Sequence, residues 1–357
     1  MFKSFSHIYI EDAIIEHPRT KLILQKFKSS VIVPIKHYKD VFNRRGQDFI
    51  LQKKSPKLIL AKRNEQFLYE GSHFSPNFDS PHFYYNTLAL NCIYDCAYCY
   101  LQGMFSSANL VLFVNWEDYF NATDAFLNLY QSLYLALSYD TDLLATESFF
   151  PATKAWIEFA ETRPNLLLEI RTKSNNFPSI SHLTPIPNVI LAWTLSPENI
   201  ITKIEKKTPS LSSRLQSIQS ALDLGWKVRI CIDPMLREPN WKEEYRTLIS
   251  RLESQISINK VYDISIGTFR MNSDFFGKIQ EIRNIFPNHR VARYNMAAWQ
   301  KPSSNSVIFI GREVTKAGRE GEPDTGKLKL FEVNDDGAIA QERLICCLLY
   351  TSPSPRD

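Results

Sequence analysis

Asn91-Cys-Ile-Tyr-Asp-Cys-Ala-Tyr-Cys-Tyr-Leu-Gln-Gly103 is the most informative segment of this 357-residue chain. Its three cysteines, Cys92, Cys96 and Cys99, are spaced C-x3-C-x2-C. Three thiolates on one short loop can hold three irons of a [4Fe–4S] cluster and leave the fourth iron without a protein ligand. An open coordination position is where metal enzymes bind and activate a small molecule. The spacing therefore predicts a catalytic iron–sulfur site.

Two other interpretations of the cysteines compete with this one. The first is a zinc site that uses the three cysteines with His73 or His82, although zinc ligands usually come as two C-x2-C pairs or as cysteine with histidine. The second is three unrelated thiols. Only Cys231, Cys346 and Cys347 lie elsewhere in the chain, so the triplet is a local concentration of cysteine. The spacing favours the iron–sulfur interpretation over both.

Composition indicates a globular protein of a reducing compartment. With 44% hydrophobic residues, the chain can bury a large core as one barrel-sized domain or two smaller ones. It has no run of about eighteen apolar residues, so we expect no transmembrane helix and no membrane partner. The first residues lack the apolar stretch and cleavage site of a secretory signal. Reduced thiols and an oxygen-sensitive cluster predict a cytoplasmic location.

The net charge of +4 is unevenly distributed along the chain. Residues 19–63 contain thirteen Lys or Arg against two acids, a net charge of +11. Residues 64–160 contain eleven acids against one lysine, a net charge of −10. Such a basic segment could direct a polyanion to one face of the protein, and a solvated surface is the alternative. The segment supports nucleic-acid binding without establishing it.

From residue 84 onward, short β-rich segments alternate with longer amphipathic ones. The predicted strands are 84–90, 133–138, 166–171, 189–195, 227–233 and 262–268. The predicted helices are 116–131, 152–162, 212–224, 241–255 and 275–286. This alternation indicates a parallel α/β architecture, and we predict a partial (β/α)6 TIM-like barrel with the cysteine loop at the carboxyl ends of its strands. A doubly wound open sheet is the alternative, although no glycine-rich phosphate-binding motif follows the first strand.

The predicted organisation has four parts. An N-terminal α+β extension covers residues 1–82, with a helix at 18–28 and strands at 31–35 and 57–61. The partial barrel covers 83–290, and a C-terminal segment covers 291–345, with a surface hairpin at 300–335. Residues 346–357 are predicted to be a non-native tail, because their sequence looks like a translated sequencing adapter.

Side-chain alternation predicts a polar barrel interior. Successive residues of a strand point to opposite faces, so Val228, Ile230 and Ile232 would face the helices. The opposite face of that strand carries Arg229, Cys231 and Asp233, and the strand at 166–171 presents Glu169, Arg171 and Lys173 in the same way. Salt bridges or solvated strand ends are the alternative to a functional interior.

The cysteine motif resembles that of the radical S-adenosylmethionine (radical SAM) enzymes, C-x3-C-x-aromatic-C, with Tyr98 at the aromatic position. In that superfamily the cofactor S-adenosyl-L-methionine binds the fourth iron, and an electron from the cluster cleaves it to a 5′-deoxyadenosyl radical. The cofactor supplies the chemistry, while the protein positions the radical and excludes water. The resemblance implies the radical SAM type of partial barrel.

Further segments resemble the spore photoproduct lyase family over residues 8–290. They are Cys99-Tyr-Leu-Gln102, Val114-Asn115, Arg171-Thr-Lys173, Thr194-Leu-Ser196, Asp233-Pro-Met235 and Gly267-Thr-Phe-Arg270. The family repairs a thymine pair in which one methyl carbon is bonded to the neighbouring base. The resemblance implies a radical SAM lyase that abstracts hydrogen from a thymine-dimer lesion in damaged DNA and reverses it. It also implies a reducing partner protein such as flavodoxin or ferredoxin.

Two other functions remain open from the sequence. One is a radical SAM enzyme of the same fold that acts on a different substrate. The other is a nucleic-acid-binding protein with a structural metal site. A structural cluster usually has all its irons bound by protein, and no fourth cysteine is close in sequence.

The resemblance also implies roles for individual residues. Cys92, Cys96 and Cys99 would hold the cluster, Tyr98 would lie along the adenine, and Tyr100 would take part in returning hydrogen to the product. The remaining implied cofactor contacts are Lys173, Thr194, Ser196 and Asp233. Ordinary aromatic packing is the alternative for the tyrosines, and a strand-end salt bridge is the alternative for the lysine.

One position departs from the family. Spore photoproduct lyases carry a cysteine after the second strand that donates the returning hydrogen, whereas this chain has Ser138 or Tyr139 there. A serine O–H bond is too strong to replace a thiol, so Tyr139 is the candidate donor. Cys231 is a second candidate, although a buried cysteine is often only a small apolar residue.

Overall fold

The computed structural model describes residues 4–71, 78, 80–236, 238–269, 271, 273–283, 307–312 and 328–333. The strands within the first 113 residues are β1 His7–Glu11, β2 Val31–Ile35, β3 Leu58–Ala61, β4 Leu68–Glu70, β5 Phe83–Asn86, β6 Ala89–Leu90, β7 Asp95–Cys96 and β8 Leu110–Phe113. The later strands are β9 Leu133–Ala136, β10 Leu166–Thr172, β11 Val189–Thr194, β12 Glu205–Lys206, β13 Lys227–Met235, β14 Asp263–Thr268, β15 Val307–Arg312 and β16 Leu328–Val333.

Helices connect most of these strands. They are α1 Pro18–Lys26, α2 Lys39–Phe42, α3 Phe49–Lys54, α4 Leu101–Met104, α5 Trp116–Tyr130, α6 Leu143–Thr146, α7 Ala152–Glu161, α8 Glu198–Lys203, α9 Leu211–Asp223, α10 Trp241–Gln255 and α11 Ser273–Arg283. Within the described ranges, no helix combines the length and the apolar character that crossing a bilayer requires.

The large sheet has the order β14-β13-β11-β10-β9-β5-β4. Its first six members are parallel, and β4 is antiparallel to β5 at the edge. Each parallel strand lies beside its successor in the chain, so the order never reverses as it does in a doubly wound sheet. The predicted partial (β/α)6 architecture is confirmed, and the doubly wound alternative is wrong.

The predicted first strand, 84–90, is divided between two sheets. Its first part forms β5 of the large sheet, and β6 pairs antiparallel with β8 in a second sheet. The Asn86 side chain accepts a hydrogen bond from the Ser138 amide at 2.8 Å, and the Ser138 hydroxyl accepts one from the Leu88 amide. These side-chain bonds replace the ladder beyond Asn86, which lets the chain cross to the second sheet.

The second sheet has the order β2-β1-β3-β8-β6 and forms most of the N-terminal part. Strands β8 and β6 come from beyond residue 82, whereas β4 precedes that residue and joins the large sheet. One continuous apolar core includes side chains of both sheets. The two predicted units thus exchange strands across residue 82. The domain boundary at that residue stays a prediction.

Near the C-terminus, β15 and β16 pair antiparallel, as the predicted hairpin at 300–335 requires. The rest of the predicted segment 291–345 and the predicted tail 346–357 lie outside the described residues.

Charged side chains fill the barrel interior, as the strand alternation predicts. Arg229 is 2% exposed and contacts Glu169 and Asp263, each at 2.5 Å. Above it, Arg171 bridges Glu169 at 3.1 Å and Asp233 at 3.4 Å. Buried charges need partners, and this chain of ion pairs supplies them from β10, β13 and β14. It leads through the interior to the carboxyl ends of the strands.

Candidate active site

An open pocket lies at the carboxyl ends of the parallel strands and encloses about 1100 Å³ of space, its mouth included. It brings together side chains from the cysteine loop and from β10, β11 and β13. The predicted site residues that line it are Cys92, Cys96, Cys99, Tyr98, Tyr100, Tyr139, Lys173, Thr194 and Asp233.

The cysteine loop is held by hydrogen bonds to its backbone. The Gln102 amide group donates to the carbonyls of Cys96 at 3.0 Å and Cys99 at 3.1 Å. The Arg283 guanidinium, near the end of α11, donates to the Gln102 side chain and to Asp95 at 2.5 Å. On another side, Lys53 Nζ donates to the Cys92 carbonyl. These contacts fix the loop on which the three thiols lie.

The donor set fits an iron–sulfur cluster. All three thiols face one pocket, and burial raises the pKa of Cys96 and of Cys99. Burial, together with the charge of Asp142, raises the pKa of Cys92 to about 11. Thiols in such a place become thiolates only when a positive partner such as a metal compensates the charge. The residues therefore suit a metal group better than free thiolates.

The structure supports the zinc interpretation of the three cysteines less well than the iron–sulfur interpretation. In the part of the chain that the structure describes, no three His, Cys, Asp or Glu side chains converge on one ion. A cube spreads its thiolate ligands over separate corners, so it does not require such convergence. His82 stacks on Tyr130 with ring centroids 4.2 Å apart and does not line the pocket, and His73 lies outside the described residues.

A buried polar network supports the loop from the β11 side. The Tyr98 hydroxyl donates to Glu205, which also accepts from Ser196 at 3.1 Å and from Arg214 at 2.7 Å. Arg214 donates further to the Thr194 carbonyl at 3.0 Å. Burial opposes ionisation of Glu205, but the charges of Arg214 and Lys173 outweigh it and lower the pKa of that carboxyl. Ser196 thus acts on the network and lies outside the pocket lining.

Lys173 lines the pocket beside the cysteine loop. Its ammonium is 5.6 Å from the centre of the Tyr98 ring, and its backbone amide donates to Asp142 at 2.7 Å. Burial alone would lower the pKa of Lys173, but the negative charge of Glu205 raises it. The pocket therefore holds a positive charge beside the tyrosine that follows the second cysteine.

Tyr100 and Tyr139 both line the pocket and contact each other. The Tyr100 hydroxyl donates to Asp140 at 2.8 Å and to the Tyr139 carbonyl at 3.1 Å. The Tyr139 ring is 5.1 Å from the Tyr85 ring, at the pocket edge. The departure from the family pattern is thus located at the pocket, next to the other tyrosine of the proposed relay.

Cys231 is placed differently. It is fully buried within β13 and is absent from the described residues that line the pocket. Burial raises the pKa of its thiol to about 12. This position matches a small apolar core residue more closely than a hydrogen donor.

Sequence reasoning assigned no role to several residues that hold the site. They are Lys53, Asp142, Glu205, Arg214 and Arg283. Glu205 reaches the cysteine loop because β12 pairs with β7, which places Glu205 opposite Cys96. Arg283 is separated by 181 positions from Gln102, so no local pattern connects them.

Comparison with known proteins places the chain in a family. Residues 4–298 match the sequence profile of the family described as spore photoproduct lyase. The chain belongs to the spore photoproduct lyase family. The predicted family is confirmed, and with it the prediction of a radical SAM lyase.

Individual relatives in this family are distant. The chain is 20% identical over 298 residues to the spore photoproduct lyase of Clostridium acetobutylicum, covering 82% of this chain and 85% of the relative. It is 21% identical over 268 residues to the spore photoproduct lyase of Bacillus subtilis strain 168, covering 72% and 75%.

Solved structures share the fold. A spore photoproduct lyase complexed with dinucleoside spore photoproduct has a TM-score of 0.71 and 18% identity, over 94% of this chain and 92% of that one. A variant of the enzyme with bound AdoMet and dinucleoside spore photoproduct has a TM-score of 0.70 and 17% identity, over 87% and 88%. At these identities the structural likeness supports the architecture.

Proposed function

We propose that this chain holds a [4Fe–4S] cluster through Cys92, Cys96 and Cys99, binds S-adenosyl-L-methionine beside it, and reverses a thymine-dimer lesion in DNA. The single observation that carries the proposal is the shared pocket, where the three thiols face Lys173, Thr194 and Asp233. Family membership supports it, as do related structures with bound AdoMet and dinucleoside spore photoproduct.

Bound together, the cluster and S-adenosyl-L-methionine supply a 5′-deoxyadenosyl radical, which removes hydrogen from the substrate. Tyr98 would pack along the adenine, with its hydroxyl anchored on Glu205. The Lys173 ammonium would meet an anionic group of the cofactor, while Thr194 and Asp233 offer polar contacts from neighbouring strands. A preorganised polar pocket of this kind orients the reactants and keeps water out.

Tyr139 is our proposed donor of the returning hydrogen, with Tyr100 beside it. The position replaces the family cysteine, and both side chains line the pocket. Cys231 is not among the described residues that line the pocket, which favours Tyr139 over this buried thiol as the hydrogen donor.

Damaged DNA is the proposed partner. A lesion weakens stacking, which eases movement of the damaged bases out of the duplex and into a pocket. Basic residues of the segment 19–63 would bind phosphates without reading sequence. A cytoplasmic location and a reducing partner such as flavodoxin or ferredoxin complete the proposal.

A radical SAM enzyme with a different substrate is the second candidate, favoured by the absence of the family thiol at Ser138 and Tyr139. A structural cluster is less supported, because the described pocket lining contains three cysteines and no fourth.

Anaerobic reconstitution tests the site. We expect the wild-type chain to take up iron and sulfide and to cleave S-adenosyl-L-methionine with dithionite as reductant. Cys96→Ala should lose most of the iron and the cleavage, whereas the matched control Cys231→Ala should keep both. If Cys96→Ala retains full cleavage, the cluster assignment is wrong.

The substrate is tested with an oligonucleotide that carries the spore photoproduct. Repair by the wild-type chain, measured by chromatography of the digested product, supports the first candidate. Cofactor cleavage without repair supports a different substrate. Tyr139→Phe should lower repair while cofactor cleavage persists.

A further inference from the structure

Exposed lysines gather at the outer side of the cysteine loop, and they contribute nothing to the pocket lining among the residues that the structure describes. Lys54 ends α3, and Lys206 and Lys207 follow Glu205 in and after β12; all three side chains are exposed. We call these three residues the lysine patch. Its position matters because the proposed chemistry needs an electron to reach the cluster from outside the pocket.

The patch is connected to the cysteine loop through Lys53 and through the pairing of β12 with β7. Lys207 Nζ donates to the Lys53 carbonyl at 2.5 Å, and Lys53 Nζ donates in turn to the Cys92 carbonyl. Strand β12 pairs antiparallel with β7, so that Lys206 lies opposite Asp95 and Glu205 lies opposite Cys96. The patch is therefore the surface of the very elements that hold two of the three cluster cysteines.

Two nearby acids are paired with arginines outside the patch, so they do not neutralise the patch lysines. Asp95 is paired with Arg283 at 2.5 Å, and Glu205 is buried against Arg214 at 2.7 Å. One turn before the end of α3, Leu51 is 62% exposed. An exposed apolar side chain among lysines offers a small contact area surrounded by charge, which suits a short-lived encounter between proteins.

We propose that the lysine patch is the docking surface for an acidic one-electron carrier protein of the flavodoxin or ferredoxin class. This inference rests on the proposed function. A reduced carrier docked there would be oxidised by one electron, and the group held by Cys92, Cys96 and Cys99 would be reduced by that electron. Charge complementarity steers the encounter and raises its rate, and electron-transfer interfaces are typically small.

DNA is the competing polyanion, and the position of the patch argues against it. A lesion must enter the pocket, whereas none of the three patch lysines is among the described residues that line it. An electron carrier does not enter the pocket, but it must approach the cysteines closely to transfer its electron.

The test compares two double variants of the full, reconstituted chain with equal changes of charge. Lys54→Glu with Lys206→Glu reverses the charge of two of the three patch lysines and keeps Lys207, which contacts Lys53. Lys26→Glu with Lys28→Glu reverses two exposed lysines at and just after the end of α1. Binding of a purified oxidised flavodoxin is measured calorimetrically at low and high salt. Cleavage of S-adenosyl-L-methionine is measured with reduced flavodoxin and, separately, with dithionite.

We expect the patch variant to bind flavodoxin about tenfold or more weakly and to lose most of the salt dependence. Its dithionite-driven cleavage should equal wild type, and the control variant should match wild type in flavodoxin binding and in both cleavage assays. Carbodiimide cross-linking should join flavodoxin carboxylates to Lys54, Lys206 or Lys207. If the patch variant lacks iron or unfolds, Lys206→Gln alone replaces it, with a smaller expected loss of flavodoxin affinity.

Unchanged flavodoxin affinity in the patch variant overturns the inference, and so does an equal loss in the control. Weakened binding of duplex DNA with normal flavodoxin binding also overturns it and assigns the patch to DNA. Failure of the wild-type chain to cleave the cofactor with dithionite would instead contradict the proposed function, while flavodoxin binding would still report on the patch.

Discussion

At the scale of single residues, one buried ion pair explains how the cysteine loop is anchored. Arg214 and Glu205 are almost fully buried and lie 2.7 Å apart. Each satisfies further partners, because Glu205 accepts from Tyr98 and Arg214 donates to the Thr194 carbonyl. A buried pair of this kind is costly to assemble but more costly to break, since loss of one partner leaves an uncompensated charge.

Arg214→Met is therefore expected to destabilise the apo-protein by about 3–5 kcal/mol, because Glu205 would remain buried without its guanidinium. Urea unfolding under anaerobic conditions measures the change. The matched control is Arg251→Met, which breaks the more exposed pair with Glu198 at 3.1 Å and should cost at most about 1 kcal/mol. Equal effects of the two substitutions would show that burial of the first pair is energetically unimportant.

At the scale of elements, α11 packs directly on the short helix α4 that follows the third cysteine. A Cβ atom at Gly103 would lie 2.4 Å from the Phe275 carbonyl oxygen and 2.5 Å from its Cα, so only glycine fits this contact. The close approach places Arg283 of the same helix on Gln102, which holds the carbonyls of Cys96 and Cys99.

Gly103→Ala should push α11 away, destabilise the protein by about 1–3 kcal/mol and reduce the iron retained after reconstitution. Gly277→Ala provides the control on the same helix, because a Cβ there meets no atom within 4 Å. It should be neutral or stabilising by up to about 1 kcal/mol, since alanine favours a helix. The midpoint of thermal unfolding and the iron content are measured for both variants. Normal iron retention in Gly103→Ala would show that the cysteine loop does not depend on the packing of α11.

Sequence patterns predicted the elements of the barrel but missed how they are joined. The strand prediction 189–195 matches β11 closely because a continuous apolar run leaves little choice of structure. The prediction 84–90 merged β5 with β6, because both are β-rich and only the contacts of Asn86 with Ser138 separate them. Similarly, the cysteine spacing indicated the site, whereas the support from Arg283 depends on a tertiary contact that no local pattern encodes.

At the scale of the whole molecule, the two sheets are mutually dependent. Strand β8 lies between β3, which precedes residue 82, and β6, which follows it. Its four residues are at most 2% exposed. Removing the N-terminal part would expose a buried strand edge, which is a template for aggregation.

A fragment of residues 83–357 is therefore expected to aggregate or to remain partly unfolded, even though it contains every cluster cysteine and all six parallel strands. Gel filtration and urea unfolding measure this outcome. Co-expression with residues 1–82 should restore part of the soluble yield, because β3 would again pair with β8 through the ladder from Leu58 to Ala61. A monomeric fragment that unfolds cooperatively and takes up iron would instead show that the barrel folds alone and that the second sheet is an accessory.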